Sequence, residues 1–339
     1  MKSVIIAHGE DLDGIVSHTL FDAGLRARFP EVPIEHHFAR YDQLDLPFIA
    51  LLDSLKQNRE GTLVYVGDLS VNDSLIPVLK ELSGYASISW YDHHQNTVNK
   101  SDDLIRLGID LTFDSSDCTS GIVAKNFLPE CSGITPYLEV SKLVDLARRS
   151  DFPDKHRQTK QGEKLEKVIS LVNSTGNTSL LYRLVEAMRE GVLFSGEEDL
   201  VPQTEELVDE YNRREAAAFQ KLEERREMFD LCGYRTLFSY ASPLLGGKST
   251  LQFLKTVYGR EAELFVAVYE DPKRNHLITK SNACAVDVPA LCASLGGGGR
   301  NDMGGFTWPT GISEQNYVTE REKMMQSMRV YLTTVPRSV

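Results

Sequence analysis

Three short apolar runs near the start of the chain each end in acids or imidazoles. Val4 to Ala7 leads into His8, Asp11 and Asp13; Thr62 to Val66 into Asp68; Ser87 to Tyr91 into Asp92, His93 and His94. Crowded together, these groups would repel or desolvate one another unless cations were present. Hard carboxylates with imidazole nitrogen suit Mn²⁺, Mg²⁺ or similar ions, so the set implies a metal centre if the fold brings it to one place. Taken singly, Asp11, Asp13 or Asp68 reads as a turn or cap residue. A His pair alone also says little: with 8 His in 339 residues chance gives roughly 0.2 such pairs, and a second one, His36-His37, reads as packing and surface. What counts is that the acids follow successive strand-like runs.

An α/β fold supplies that placement. Val4 to Ala7, Ile34 to Phe38, Thr62 to Val66, Ser87 to Tyr91 and Leu111 to Phe113 read as strands, and Ile15 to Phe29, Leu46 to Leu55 and Leu75 to Leu82 carry helical spacing between them. Such alternation makes a doubly wound parallel sheet, whose carboxyl strand ends share one edge where ligands bind. Helices are expected over Gly121 to Leu128 and Pro136 to Arg149, then one long charged helix over Glu197 to Phe229 that joins the two domains. Strand-like runs return at Arg235 to Tyr240, Glu263 to Tyr269 and His276 to Lys280, and lead to the glycine run Gly296 to Gly299. The expected organisation is an N-terminal parallel-sheet domain over 1–190, a helical linker over 191–230 and a smaller C-terminal α/β domain over 231–339.

Composition bounds the function. The length of 339 residues suits two domains, and 41% apolar with 25% charged residues excludes a disordered or fibrous chain. Lys and Arg number 37 against 49 Asp and Glu; the net charge of −12 argues against a long track for duplex DNA or an anionic membrane. Any polyanionic substrate must be short or met by metal. Five Cys, odd in number and without a C-x-x-C pair, argue against a disulfide framework or structural zinc. No apolar run is long enough for a signal-peptide core or a membrane span, so a cytoplasmic location is expected.

His8-Gly-Glu-Asp11-Leu-Asp13-Gly14, Gly67-Asp68-Leu-Ser and Tyr91-Asp92-His93-His94 resemble the first three motifs of the DHH phosphoesterase superfamily. Ser115-Ser116-Asp-Cys-Thr-Ser-Gly resembles the Ser/Thr-rich segment that follows them, and Arg148-Arg-Ser-Asp151 offers the fourth-motif aspartate. Asp287 to Gly305, with its glycine run and Arg300, resembles the glycine-rich substrate motif of the associated DHHA1 domain. The resemblance covers both halves of the chain in the right order.

It implies two divalent ions, Mn²⁺ by preference with Mg²⁺ or Co²⁺ open. His8, Asp11 and Asp68 would hold one; Asp13, Asp68, His93 and Asp151 the other. Such a pair can acidify a bridging water and clamp a phosphoryl group for in-line attack by hydroxide. Asp92 would orient a neighbouring imidazole, and His94 would face the phosphate. Gly297, Gly298, Gly299, Arg300 and Lys280 would contact substrate. The chain departs from the pattern in two places. Two residues separate His8 from Asp11 where the related nano-RNases have three, which leaves Glu10 as an alternative ligand. Arg300 replaces the usual His, and Ser281-Asn282 replaces an Arg-Ser pair. Asp145 and Asp154 stay open as alternatives to Asp151. Gly246-Gly-Lys248-Ser-Thr has the tail of a phosphate-binding loop, but Ser242 stands where that pattern demands Gly.

The expected activity is metal-dependent hydrolysis of short oligonucleotides, similar to the nano-RNases. Alternatives are a cyclic-dinucleotide phosphodiesterase, a 3′,5′-bisphosphonucleotide phosphatase, a polyphosphate hydrolase, or a nucleotide-sensing protein without catalysis. Expected partners are short single-stranded RNA or DNA or a nucleotide, with neither a membrane nor a long duplex; a homodimer is open.

Overall fold

The computed structural model describes residues 1–334 apart from 59, 132, 134–137, 153–154, 271–275 and 301, and gives the backbone alone for Asp42, Lys248, Ser249 and Arg300. Pro136 and Asp154 therefore lie outside the described residues, as does the Arg300 side chain. Within α10 (Pro202–Glu224) the chain divides, between Tyr211 and Asn212, into two compact units. The described residues contain no helix long and apolar enough to cross a membrane, and no disulfide joins the five cysteines.

The first unit is an α/β layer structure. Its strands are β1 (Lys2–His8), β2 (Ile34–Ala39), β3 (Thr62–Gly67), β4 (Ala86–Asp92) and β5 (Asp110–Phe113). Helices α1 (Leu12–Arg28), α2 (Leu46–Gln57), α3 (Ile76–Leu82), α4 (Gln95–Asn99) and α5 (Ser101–Arg106) connect them. After β5 come α6 (Thr119–Asn126), α7 (Val140–Asp151), α8 (Lys160–Thr175) and α9 (Ser179–Arg189). All strand pairs are parallel, in the order β2-β1-β3-β4-β5. The order reverses between β1 and β3, and in open sheets of this kind the crevice outside the carboxyl ends at that reversal is where ligands bind.

Side-chain alternation along β1 sorts the two faces. Ile5 joins the core made with α1, α6 and α7, while Val4 and Ile6 join Phe48, Leu51 and Leu79 of α2 and α3. Helix α1 is buried from Leu12 to Leu25 and packs on α6, α7 and α9 as well as on β1. A helix enclosed this way should be apolar all round, yet α1 carries His18 and Asp22, both fully buried. Asp22 is paired with Arg26 and Arg189, whose guanidinium groups hold its carboxyl below the usual range despite burial. His18 stacks between His36 and Phe38, and neither ring nitrogen has a hydrogen-bond partner among the described residues.

Burial first, then the charges of His36 and His37, push the His18 pKa down to about 3, against a weaker pull upward from Asp22. The unfolded chain, with His near 6.5, then binds a proton that the folded chain refuses. Stability is therefore lost as pH falls below 6.5, with a slope of up to about 1.4 kcal/mol per pH unit from this group. His18→Phe keeps the stack and removes the titration. Denaturant unfolding at pH 7 and pH 5 should show a shallower pH dependence in that variant than in the parent, and equal slopes would dismiss His18 as the cause.

The second unit holds β6 (Arg226–Leu231), β7 (Tyr234–Ala241), α11 (Gly247–Tyr258), β8 (Leu264–Tyr269), β9 (His276–Lys280), α12 (Val288–Ser294), β10 (Gly298–Arg300), β11 (Met303–Phe306) and α13 (Tyr317–Leu332). Its sheet runs β10-β11-β9-β8-β7-β6, antiparallel except for β7 with β8. One face packs on α12 and α13, the other on α11 and Leu222 of α10. The long helix expected to reach Phe229 ends at Glu224, because residues from Arg226 onward pair with β7.

Candidate metal centre

Three connections put the acids at one edge. Beyond β1, Asp11 caps α1 by accepting the Gly14 N–H at 3.0 Å, which turns Asp13 inward. Gly14 has to be glycine: a Cβ there would run into the His8 carbonyl. Beyond β3, Asp68 adopts a left-handed backbone with φ of 61°, a conformation that costs roughly 1 kcal/mol or more outside glycine and that Asp tolerates better than most residues. At the end of β4, Asp92 is wholly buried and organises the His pair. Its Oδ1 accepts the His93 N–H at 2.8 Å and lies 2.7 Å from His94 Nδ1, and its Oδ2 accepts the Thr97 hydroxyl.

The side chains converge on Asp68. Its Oδ2 is 3.6 Å from His8 Nδ1, and its Oδ1 is 3.5 Å from His93 Nε2 and 3.9 Å from His94 Nδ1. His8 Nδ1 lies 3.0 Å from Asp11, and His93 Nδ1 lies 3.5 Å from Asp151, the last residue of α7. Asp13 is held by the start of α6: Thr119 N–H donates to its Oδ2 at 2.7 Å and Ser120 N–H to its Oδ1 at 2.9 Å, using helix amides that have no partner within the helix. The Thr119 hydroxyl donates to Asp68 at 3.0 Å.

Three groups result in which one donor atom from each residue lies within 4.8 Å of the others: His8, Asp11 and Asp68; Asp13, His93 and Asp151; and Asp68, Asp92, His93 and His94. They could hold divalent cations. The residues also fit in a second way. His8 Nδ1, Asp68 Oδ2, His93 Nε2 and Asp151 Oδ2 are buried polar atoms whose charged neighbours at 3.0 to 3.6 Å form no well-aligned hydrogen bond with them, and such atoms are costly unless something satisfies them.

The electrostatics show the same crowding. Burial and the neighbouring Asp68 charge push the Asp13 carboxyl well above its usual range. Burial also raises Asp151. Asp68 is buried too, but His8 and His93 overcome that and hold it low. Burial alone would lower both imidazoles; Asp11 keeps His8 well above its ordinary value, and Asp68 with Asp151 lifts His93 to about 9. Positive charge drawn to carboxylates here is what a cation would replace.

Comparison with known protein families and with curated proteins finds no match. Similar solved structures span the chain from end to end. A protein from Helicobacter pylori G27 is 17% identical, covers 97% of this chain and 99% of its own, and has a TM-score of 0.44. An exopolyphosphatase-related protein from Bacteroides fragilis is 11% identical, with 98% and 94% covered and a TM-score of 0.48. A Methanococcus jannaschii protein bearing the name of a family II inorganic pyrophosphatase is 13% identical, with 97% and 99% covered and a TM-score of 0.30. At these scores the site's own geometry has to carry the functional reading.

His8, Asp11, Asp13, Asp68, Asp92, His93, His94 and Asp151 thus lie at one edge. Asp145 pairs with Arg149 instead. Glu10 is 3.5 Å from His8 Nε2 and accepts the Tyr41 N–H, so it braces His8 from outside both three-residue groups. His36, read as packing, lies against buried Asp22 at 3.7 Å. In the second unit, Lys280 Nζ donates to the Val286 carbonyl at 2.7 Å and the Gly297 N–H to the Cys292 carbonyl at 2.8 Å. Gly298 and Gly299 pair with Gly305 and Gly304. A Cβ on Gly297 or Gly299 would strike the backbone of the facing strand, so these glycines have a packing reason of their own.

Two neighbours carry no signal in sequence. Tyr41, just past β2, packs its ring 4.7 Å from that of His8, accepts the Ser70 N–H and lies 3.4 Å from His94 Nε2. Glu166 on α8 accepts the Leu12 N–H and the Ser150 hydroxyl, and burial pushes its carboxyl up to about 7.

Proposed function

We propose that this chain is a metal-dependent phosphoesterase of the DHH type, acting on short oligonucleotides. The observation that carries it is the sharing of Asp68, within 4 Å of three imidazoles, between donor groups at the β1–β3 reversal. His8, Asp11 and Asp68 are the proposed holders of one cation, and Asp13, Asp68, His93 and Asp151 of the other. Two such cations supply Lewis acidity toward a phosphoryl group and a more acidic water beside it.

The remaining residues orient. Asp92 fixes the His94 ring through Nδ1, which leaves Nε2 toward the Tyr41 hydroxyl, and His94 is the proposed contact for a phosphoryl oxygen. The start of α6 aims Asp13. In the second unit Arg300 is the proposed partner for a further phosphate, as a permanently charged fork.

The net charge of −12 favours a short substrate, since little else neutralises a long backbone. With Mn²⁺, kcat/KM should be highest for a dinucleotide and fall steeply toward a 20-mer, with a shallow salt dependence. Chelation should abolish turnover and Mn²⁺ restore it. The same panel should include a cyclic dinucleotide, a bisphosphonucleotide, pyrophosphate and polyphosphate. Equal processing of the 20-mer with a steep salt slope would move the assignment to a processive exonuclease, and full turnover in verified metal-free protein would end the two-cation reading.

A further inference from the structure

We propose that Glu166 is a positioning residue that ties the two halves of the ligand set together, through the Leu12 amide on one side and the Ser150 hydroxyl on the other. This rests on the two-cation reading above.

Helix α8 supplies no donor to any of the three groups, yet one oxygen of Glu166, Oε1, accepts both the Leu12 N–H at 3.3 Å and the Ser150 hydroxyl. The two donors occupy particular places. Leu12 is the first residue of α1 and stands between Asp11 and Asp13; its N–H is one of the helix-start amides without an intrahelical acceptor. Asp11 takes the Gly14 amide, and Glu166 takes this one. Ser150 immediately precedes Asp151, at the end of α7. A carboxylate there meets the carbonyl end of the helix, which disfavours negative charge.

The candidate ligands are held unequally. Asp13 and Asp68 are 2% and 1% exposed and are fixed by Thr119 and Ser120. Asp151 is more open, its Oδ2 has no hydrogen-bond partner among the described residues, and its position depends on where the last turn of α7 is held. Ser150 to Glu166 is a hydrogen bond that joins that turn to α8. Packing between α7 and α8 does not need a carboxylate, because Leu165, Val168 and Ile169 of α8 already join the apolar core with Leu143 and Leu146 of α7. A partly buried acid near the Asp11 charge is a costly way to add adhesion. As a shared acceptor linking Leu12 to Ser150, it sets the distance across which Asp13 and Asp151 face each other.

The probe is Mn²⁺ alone, titrated into purified protein by calorimetry and by the electron paramagnetic resonance signal of free Mn²⁺, without substrate. The parent should show two binding events. Glu166→Ala should weaken one of them by about 10- to 100-fold, the scale seen when a group orienting a ligand is lost, and leave the other within about threefold. Glu166→Gln, which keeps an acceptor oxygen, should recover most of the loss. Ser150→Ala should weaken the same event, and the double variant should be no worse than Glu166→Ala, because both act through one contact. Two intact events in Glu166→Ala and Ser150→Ala, or strictly additive losses, would overturn the proposal while leaving the metal centre standing. A parent that takes up no Mn²⁺ would remove both. If Glu166→Ala does not fold, Glu166→Gln and Ser150→Ala decide the matter by the same split between events.

Discussion

Asp68→Asn should lower turnover by roughly a thousandfold or more and weaken both Mn²⁺ binding events together. Asn is the informative replacement, because it keeps the size of the side chain and tolerates the left-handed backbone at φ of 61°. Alanine would mix a backbone penalty with the loss of charge. The expected size follows from the position of the carboxylate. His8, His93 and His94 lie 3.6, 3.5 and 3.9 Å from it, and it also accepts the Thr119 hydroxyl. Removing its charge leaves three imidazoles with weaker anchoring and separates the two donor groups. His36→Ala is the control, since His36 lies against Asp22 away from the strand ends. If the two variants hydrolysed a dinucleotide alike at saturating Mn²⁺, the assignment of strand ends to ligands would be wrong.

Asp92→Asn should cut kcat by about a hundredfold while both Mn²⁺ events persist. Both carboxylate oxygens are already committed, Oδ1 to the His93 amide and His94 Nδ1, and Oδ2 to Thr97, whose hydroxyl in turn accepts the Val71 N–H. An amide offers hydrogens to one of these partners where an acceptor is needed. The His94 ring then keeps at most a neutral bond in place of the charged one that fixes Nδ1. Steady-state kinetics and Mn²⁺ titration on the same samples separate the roles: loss of an ion with loss of activity would make Asp92 a ligand, and unchanged kcat would remove its orienting role.

The sheet and most of the cluster were legible in the sequence because a parallel sheet obeys a simple rule: apolar runs become strands, and whatever follows them meets at one edge. His8, Asp11, Asp68 and the Asp92-His93-His94 triplet are readable for that reason. Tyr41 follows a strand too, but Arg40 and Tyr41 after β2 lack the acid or imidazole that drew attention elsewhere. Glu166 was hidden because one Glu among the Lys and Glu of an amphipathic helix looks like solvated surface, and only tertiary packing turns it inward. The end of α10 was misplaced because β6 is an edge strand with most residues exposed, so its charged sequence resembles the helix before it. Strands β10 and β11 were missed for the opposite reason. Glycine disfavours strands in general, and here it is required by how closely the two backbones approach.

Asp13 and Asp151 meet in space although well over a hundred residues of chain separate them. An ion gripped by both would therefore act as a reversible cross-link closing a very long loop. In the chain-entropy account a link over roughly a hundred residues withdraws from the unfolded chain conformational freedom worth about 5 kcal/mol. The carboxylates proposed as ligands would then also set how firmly α7 is fastened to the sheet, and chelation would loosen the protein.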